Sequence, residues 1–148
     1  MTTDDQSGRD RSTMAAAQVR YIVRDVDAAV AFYRDLLGFT EILHPAPAFA
    51  MLQRGGLRLV LSQPNPSAGG GQPMPDGTQQ EPGGWNRFSV EVKDLASTVS
   101  RLKESGARFR NSIVTGVGGK QVIVEDPSGN PVELFEPTMT AAALGPRN

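Results

Sequence analysis

Two stretches of the chain alternate apolar and polar residues and then change to helical spacing. In 19–33, VRYIVRDVDAAVAFY, Val19, Tyr21 and Val23 form one face of a strand. After Asp25 the apolar residues Val26, Val30, Tyr33 and Leu37 recur every three to four positions, the stripe of an amphipathic helix. Residues 88–102, FSVEVKDLASTVSRL, repeat this at an offset of 69, with Val92 on Val23, Asp94 on Asp25, Leu95 on Val26 and Val99 on Val30. Asp25 and Asp94 read as N-caps, whose carboxylates accept from first-turn N–H groups. Gly38 and Gly106 read as the left-handed residues that end the helices.

Strand-like segments follow each helix. They are 39–43, 48–52 and 57–63 in the first copy, and 107–111, 112–115, 120–125 and 132–136 in the second. Asp126-Pro127-Ser128-Gly129-Asn130 is a strong turn, with Pro preset and Gly free to take positive φ. LRLVLSQP (57–64) aligns with NPVELFEP (130–137) at offset 73, so the closing strands repeat too. The fold class is therefore α+β, built from two tandem βαβββ modules. Neither module is large enough to bury a helix against a sheet alone, so a joint curved sheet with helices on its convex side is predicted.

The predicted organisation is a disordered tail (1–16), a first module (17–63), a linker or flap (64–84), a second module (85–137) and a C-terminal tail (138–148). The linker holds five Pro and six Gly in 21 positions, which suits neither helix nor strand.

Composition removes whole classes of chemistry. No Cys is present, which excludes thiolate catalysis, disulfides and cysteine metal sites. The single His, His44, excludes any site needing two histidines from one chain and falls before Pro45 in what reads as a turn. Net charge is −1, so neither nucleic acid nor an anionic membrane is an expected partner. No apolar run reaches the ~20 residues of a membrane span, and the acidic N-terminus does not resemble a secretory signal. A cytoplasmic location is expected.

The paired modules, FYRDLLGF (32–39) and EDPSGNPVELFEP (125–137) resemble the vicinal oxygen chelate superfamily, which includes glyoxalase I, bleomycin-resistance proteins and extradiol dioxygenases. The resemblance covers residues 17–137 as one domain. It implies a curved eight-stranded mixed sheet, a cup holding a small ligand, and a homodimer. Metal-using members carry ligands on the first and last strand of each module, and these positions map to Gln18, Val60, Arg87 and Glu133. Valine has no lone pair and a guanidinium is a permanent cation, so no cofactor is expected and a divalent metal is disfavoured.

Strand parity assigns Gln18, Arg20, Ile22, Arg58, Val60, Ser62, Arg87, Ser89, Glu91, Glu133 and Phe135 to the cup. Trp85 is either a lid stacking on a ligand or an anchor for the second module; Phe49 and Met51 line either cup or core. Arg87 and Glu133 are expected to pair as a bidentate fork in the space of the ion. Gly116, Gly118 and Gly119 fit a strand connection, without a phosphate-loop pattern. Three function classes follow: a small-molecule binder without metal, a metal-free lyase or isomerase using Glu133 or Glu91 with Arg87, and a metal-dependent glyoxalase-type enzyme.

Overall fold

The computed structural model describes residues 17–66 and 69–138. The expected tail 1–16 and residues 139–148 lie outside the described residues. The first module is β1 (Ala17–Ile22), α1 (Val26–Ala31), β2 (Thr40–Ala46), β3 (Phe49–Arg54) and β4 (Leu57–Ser62). The second is β5 (Ser89–Glu91), α2 (Leu95–Glu104), β6 (Arg108–Phe109), β7 (Val114–Thr115), β8 (Gly119–Glu125) and β9 (Pro131–Pro137). The strands form two sheets in the orders β1-β4-β3-β2 and β5-β9-β8-β6, with β7 also on β8. The opening strand lies parallel to the closing strand in both modules.

The α+β class and the two modules are as expected. The hydrogen-bonded ladder differs from one continuous sheet. It is interrupted between the modules, and the edge of the second is split into β6 and β7, two residues each.

Both helices start as the sequence indicates. The Asp25 carboxylate accepts from Ala28 N–H and that of Asp94 from Ser97 N–H, each at 3.1 Å. A second cap comes from the closing strands: Gln63 Oε1 accepts from Val26 N–H at 3.0 Å and Glu136 Oε1 from Leu95 N–H at 2.8 Å. Gly38 and Gly106 take φ of +75° and +88° after the helices, a conformation that side chains disfavour. Beyond Ala31 the first helix widens into a π-helical turn, Phe32–Leu36. Phe32 and Tyr33 of this turn are both buried in the core beside Leu37, their rings edge-to-face with centroids 5.1 Å apart.

A single apolar core underlies both modules. Leu52, Leu59 and Leu61 from the first and Leu95, Leu102 and Leu134 from the second are fully buried. Each such side chain contributes about 1.5–3 kcal/mol. Tyr21 and Phe88 meet across the module boundary with ring centroids 5.1 Å apart, and Tyr21 Oη donates to Pro131 O at 2.7 Å.

The turn at 126–130 fastens the modules further. The buried Asp126 carboxylate accepts from Tyr33 Oη at 2.8 Å and Asn130 Nδ2 at 3.0 Å, and from the backbone N–H of Ser128 and Asn130. Asn130 Nδ2 also donates to Ile22 O, while its Oδ1 accepts from Gly83 N–H. Arg24 N–H donates to Ser128 Oγ. This one turn thus holds the end of β1, the first helix and the end of the linker.

Candidate functional site

The face of each sheet turned away from the core is the cup face. In β1 and just after it, Tyr21 and Val23 are buried in the core while Gln18 and Arg20 are exposed. Leu59 and Leu61 of β4 join the core; Val60, though 1% exposed, lies on the opposite side from them. The register builds the first module's cup face in three rows. One row is Gln18, Arg58 and Gln53, the next Arg20, Val60 and Met51, and the third Ile22, Ser62 and Phe49. Phe49 and Met51 therefore belong to the cup, a choice that parity within one strand could not make.

In the second module Ser89 and Ile123 flank Glu133, and Glu91 and Gln121 flank Phe135. Arg87, just ahead of β5, places Nε and Nη2 each 3.0 Å from Glu133 Oε1. Both nitrogens converge on one carboxylate oxygen, which corrects the expected two-oxygen fork. The guanidinium approaches side-on, because Nη1 is turned back to Trp85 O at 3.2 Å. The pair is half-buried, with side-chain exposures of 27% for Arg87 and 16% for Glu133.

Trp85 is 70% exposed, so it does not anchor the second module by burial. Its ring lies over Arg110, with the guanidinium carbon 4.6 Å from the centroid. Arg110 is itself fixed by Glu125 at 2.9 Å, Gly84 O at 2.6 Å and Gly129 O at 2.9 Å. An exposed aromatic on a braced cation is a rigid platform.

His44 does not sit in a turn. It lies within β2, whose pairing with β3 is irregular between Glu41 and Ala46, and Pro45 is accommodated at that sheet edge. Its Nε2 is 3.1 Å from Asp27 Oδ1, away from the cup positions. Gly116 N–H donates to Gly119 O at 2.8 Å, a strand connection, and Gly119 leaves room for the Phe135 ring.

The linker packs on the first module. Gly71 is buried, its carbonyl accepting from Asn65 N–H at 2.9 Å, while Gln80 Nε2 donates to Gly70 O and Gln72 O. The Arg20 guanidinium occupies the space that a Cβ at Gly70 would need. Two polar atoms on the cup face of β4, Arg58 Nε and Ser62 Oγ, are buried without a hydrogen-bond partner.

A cleft of about 570 Å³ lies on the helix side, between the first helix (Ala28, Phe32, Leu36) and Ala107, Glu125 and Pro127. None of the predicted cup residues lines it, though Gly106 and the Asp126-Pro127 turn do.

Comparison with known proteins agrees with this architecture. The family model of the glyoxalase/bleomycin resistance protein/dioxygenase superfamily matches residues 15–134, and the chain belongs to that superfamily. A lactoylglutathione lyase from Agrobacterium tumefaciens is 26% identical, with 82% of this chain and 92% of that one covered and a TM-score of 0.62. A superfamily member from Sphaerobacter thermophilus is also 26% identical, over 81% and 94% of the chains, with a TM-score of 0.63. TnmS3, an antibiotic-binding protein from a Streptomyces, shares the fold at 22% identity over 82% and 93%, with a TM-score of 0.61. No curated protein matches the sequence. No helix among the described residues is long and apolar enough to cross a membrane.

The sequence singled out the cup-face residues but missed three relationships. The caps from Gln63 and Glu136 were present in the offset-73 alignment as equivalent positions. The Asp126 network carried only the signal of its turn. The linker's seat on Arg20 had none.

Proposed function

We propose that this chain binds a small organic molecule on its cup face without the help of a metal ion. The observation that carries the reading is the contact between Arg87 and Glu133. Of the four positions that the superfamily uses for metal ligands, Arg87 brings a permanent cation and engages the Glu133 oxygen with two nitrogens at 3.0 Å. Val60, a third position, is an aliphatic side chain with no lone pair, and Gln18 is exposed. A cation and a hydrocarbon do not fit a divalent ion, and the one carboxylate is already neutralised. The polar and apolar mix of the cup face supports a ligand with polar handles on an apolar body. The antibiotic-binding neighbour agrees with this reading, and the lactoylglutathione lyase with the catalytic alternative. A homodimer in the cytoplasm belongs to the same proposal.

The test is a thermal-shift screen of natural-product antibiotics and small organic acids, followed by mapping of any hit. Ser89→Trp blocks the cup from an exposed position; Ala31→Trp blocks the cleft on the helix side. The proposal expects a saturable ligand lost in the first variant and kept in the second. A hit lost only in Ala31→Trp, or turnover of a bound hemithioacetal, would overturn it.

A further inference from the structure

The cup face is chemically uneven. In the second module the Arg87 cation is matched by the Glu133 carboxylate. In the first, Arg20 and Arg58 occupy diagonal positions on adjacent strands, since Arg58 pairs with Gln18 and Arg20 with Val60. None of the ion pairs among the described residues includes either one. Two guanidinium groups so placed repel each other until a negative charge lies between them.

Two further observations come from the same face. Arg58 Nε and the hydroxyl of Ser62, itself 3% exposed, are buried without partners. Buried polar atoms are nearly always satisfied, and those left over in a site want an acceptor or donor from elsewhere. The apolar residues of this face lie to one side: Val60 and Met51 share the row of Arg20, and Ile22 and Phe49 flank Ser62. The far row is polar, with Arg58 between Gln18 and Gln53. Gly70 of the linker lies against the Arg20 guanidinium.

We infer that the first module's half of the cup is a carboxylate subsite, and that the ligand is an organic acid with an apolar body. Its carboxylate lies between Arg20 and Arg58, and its hydrocarbon or ring lies against Met51, since Val60 in the same row is already covered. The inference rests on the small-molecule reading above and adds the charge and orientation of the ligand. Arg20 and Arg58 are binding residues in it, and Arg87 is not, because its cation is already engaged.

The experiment follows the arginine Nε–H resonances of the whole chain by NMR during titration with benzoate and, separately, benzamide. The two probes share the ring and differ in charge. A saturable benzoate shift at Arg58 and Arg20, with benzamide at least about tenfold weaker, is the expected result. Arg58→Gln removes that difference, and Arg58→Lys, which keeps the charge, retains part of it. Equal binding of the two probes, or no saturable response to benzoate, overturns the carboxylate subsite. The screen described above separates the two failures: a neutral or cationic ligand lost in Ser89→Trp leaves the small-molecule reading standing. A screen with no cup ligand of any charge removes both.

Discussion

Arg87 and Glu133 come from opposite ends of the second module's sequence and meet with two guanidinium nitrogens each 3.0 Å from one carboxylate oxygen. The parallel pairing of β5 with β9 creates this meeting, since Ser89 lies beside Glu133 and Arg87 is two residues before it. The Glu133 carboxylate is thus neutralised by a side chain of the same module.

Removing the cation should therefore cost stability. Arg87→Ala leaves a largely covered carboxylate without its partner, a loss of about 1–2 kcal/mol once partial solvent access is allowed for. Glu133→Gln, which keeps an oxygen acceptor, should lose less. Urea unfolding of the three proteins measures both, and equal stability of all three would show the pair to be a passive surface contact.

The Asp126 turn should be far less tolerant. Asp126→Ala strands the Tyr33 hydroxyl and the Ser128 and Asn130 N–H groups together, so a loss of about 3 kcal/mol or more is expected. Tyr33→Phe removes one of the carboxylate's donors and should cost about 1–2 kcal/mol. Thermal denaturation ranks the two.

The tyrosines set a limit in alkali. Burial pushes the Tyr21 phenol up to about 12. Burial, followed by the neighbouring Asp126 charge, pushes that of Tyr33 well above its usual value. Unfolded phenols ionise near 10, so above that pH the unfolded chain binds fewer protons than the folded one and stability falls. The loss approaches about 1.4 kcal/mol per pH unit for each tyrosine from pH 10 upward, continuing to about 12 for Tyr21. With only two tyrosines in the chain, absorbance at the phenolate band should stay silent past pH 10 and rise together with unfolding. Ionisation near 10 while the fold persists would contradict the packing described.

Gln63 and Glu136 should behave as equivalent residues of the two modules. Each accepts from the first N–H of its module's helix, Val26 and Leu95, and each lies three residues after an equivalent strand position, Val60 and Glu133. Replacing either by Ala should cost about 0.5–2 kcal/mol. Glu136→Ala should be the more costly, since a carboxylate also favours the positive end of a helix. Denaturant melts of the two variants decide the order.

Much of this was legible because the chain repeats itself. Val19, Tyr21 and Val23 against Arg20 fixed strand parity, and with it the side facing the cup; Asp25 and Asp94 marked both helix starts. The segments 107–111 and 112–115 marked both edge strands of the second module, but not that each would shorten to two residues, because that depends on how much of each pairs with β8. The π-helical turn at Phe32–Leu36 escaped too, since the apolar spacing in this stretch reads equally as an ordinary helix. Trp85 carried an ambiguous signal, since an aromatic beside Gly83-Gly84 suits burial as well as exposure, and its support, Arg110, is 25 residues away. The linker composition argued against helix and strand, yet a three-residue 3₁₀ turn forms at Gly69–Gly71, and nothing in the composition said where Gly70 and Gly71 would pack.

The most direct test of the central claim is the metal content of the purified chain after dialysis against excess Ni²⁺, Zn²⁺, Mn²⁺ and Fe²⁺ and removal of unbound ion. The account predicts that the native chain retains none, while a Val60→Glu, Arg87→His double substitution, which restores donors at two of the four positions, gains one. About one ion per native chain, lost in Glu133→Ala, would contradict it.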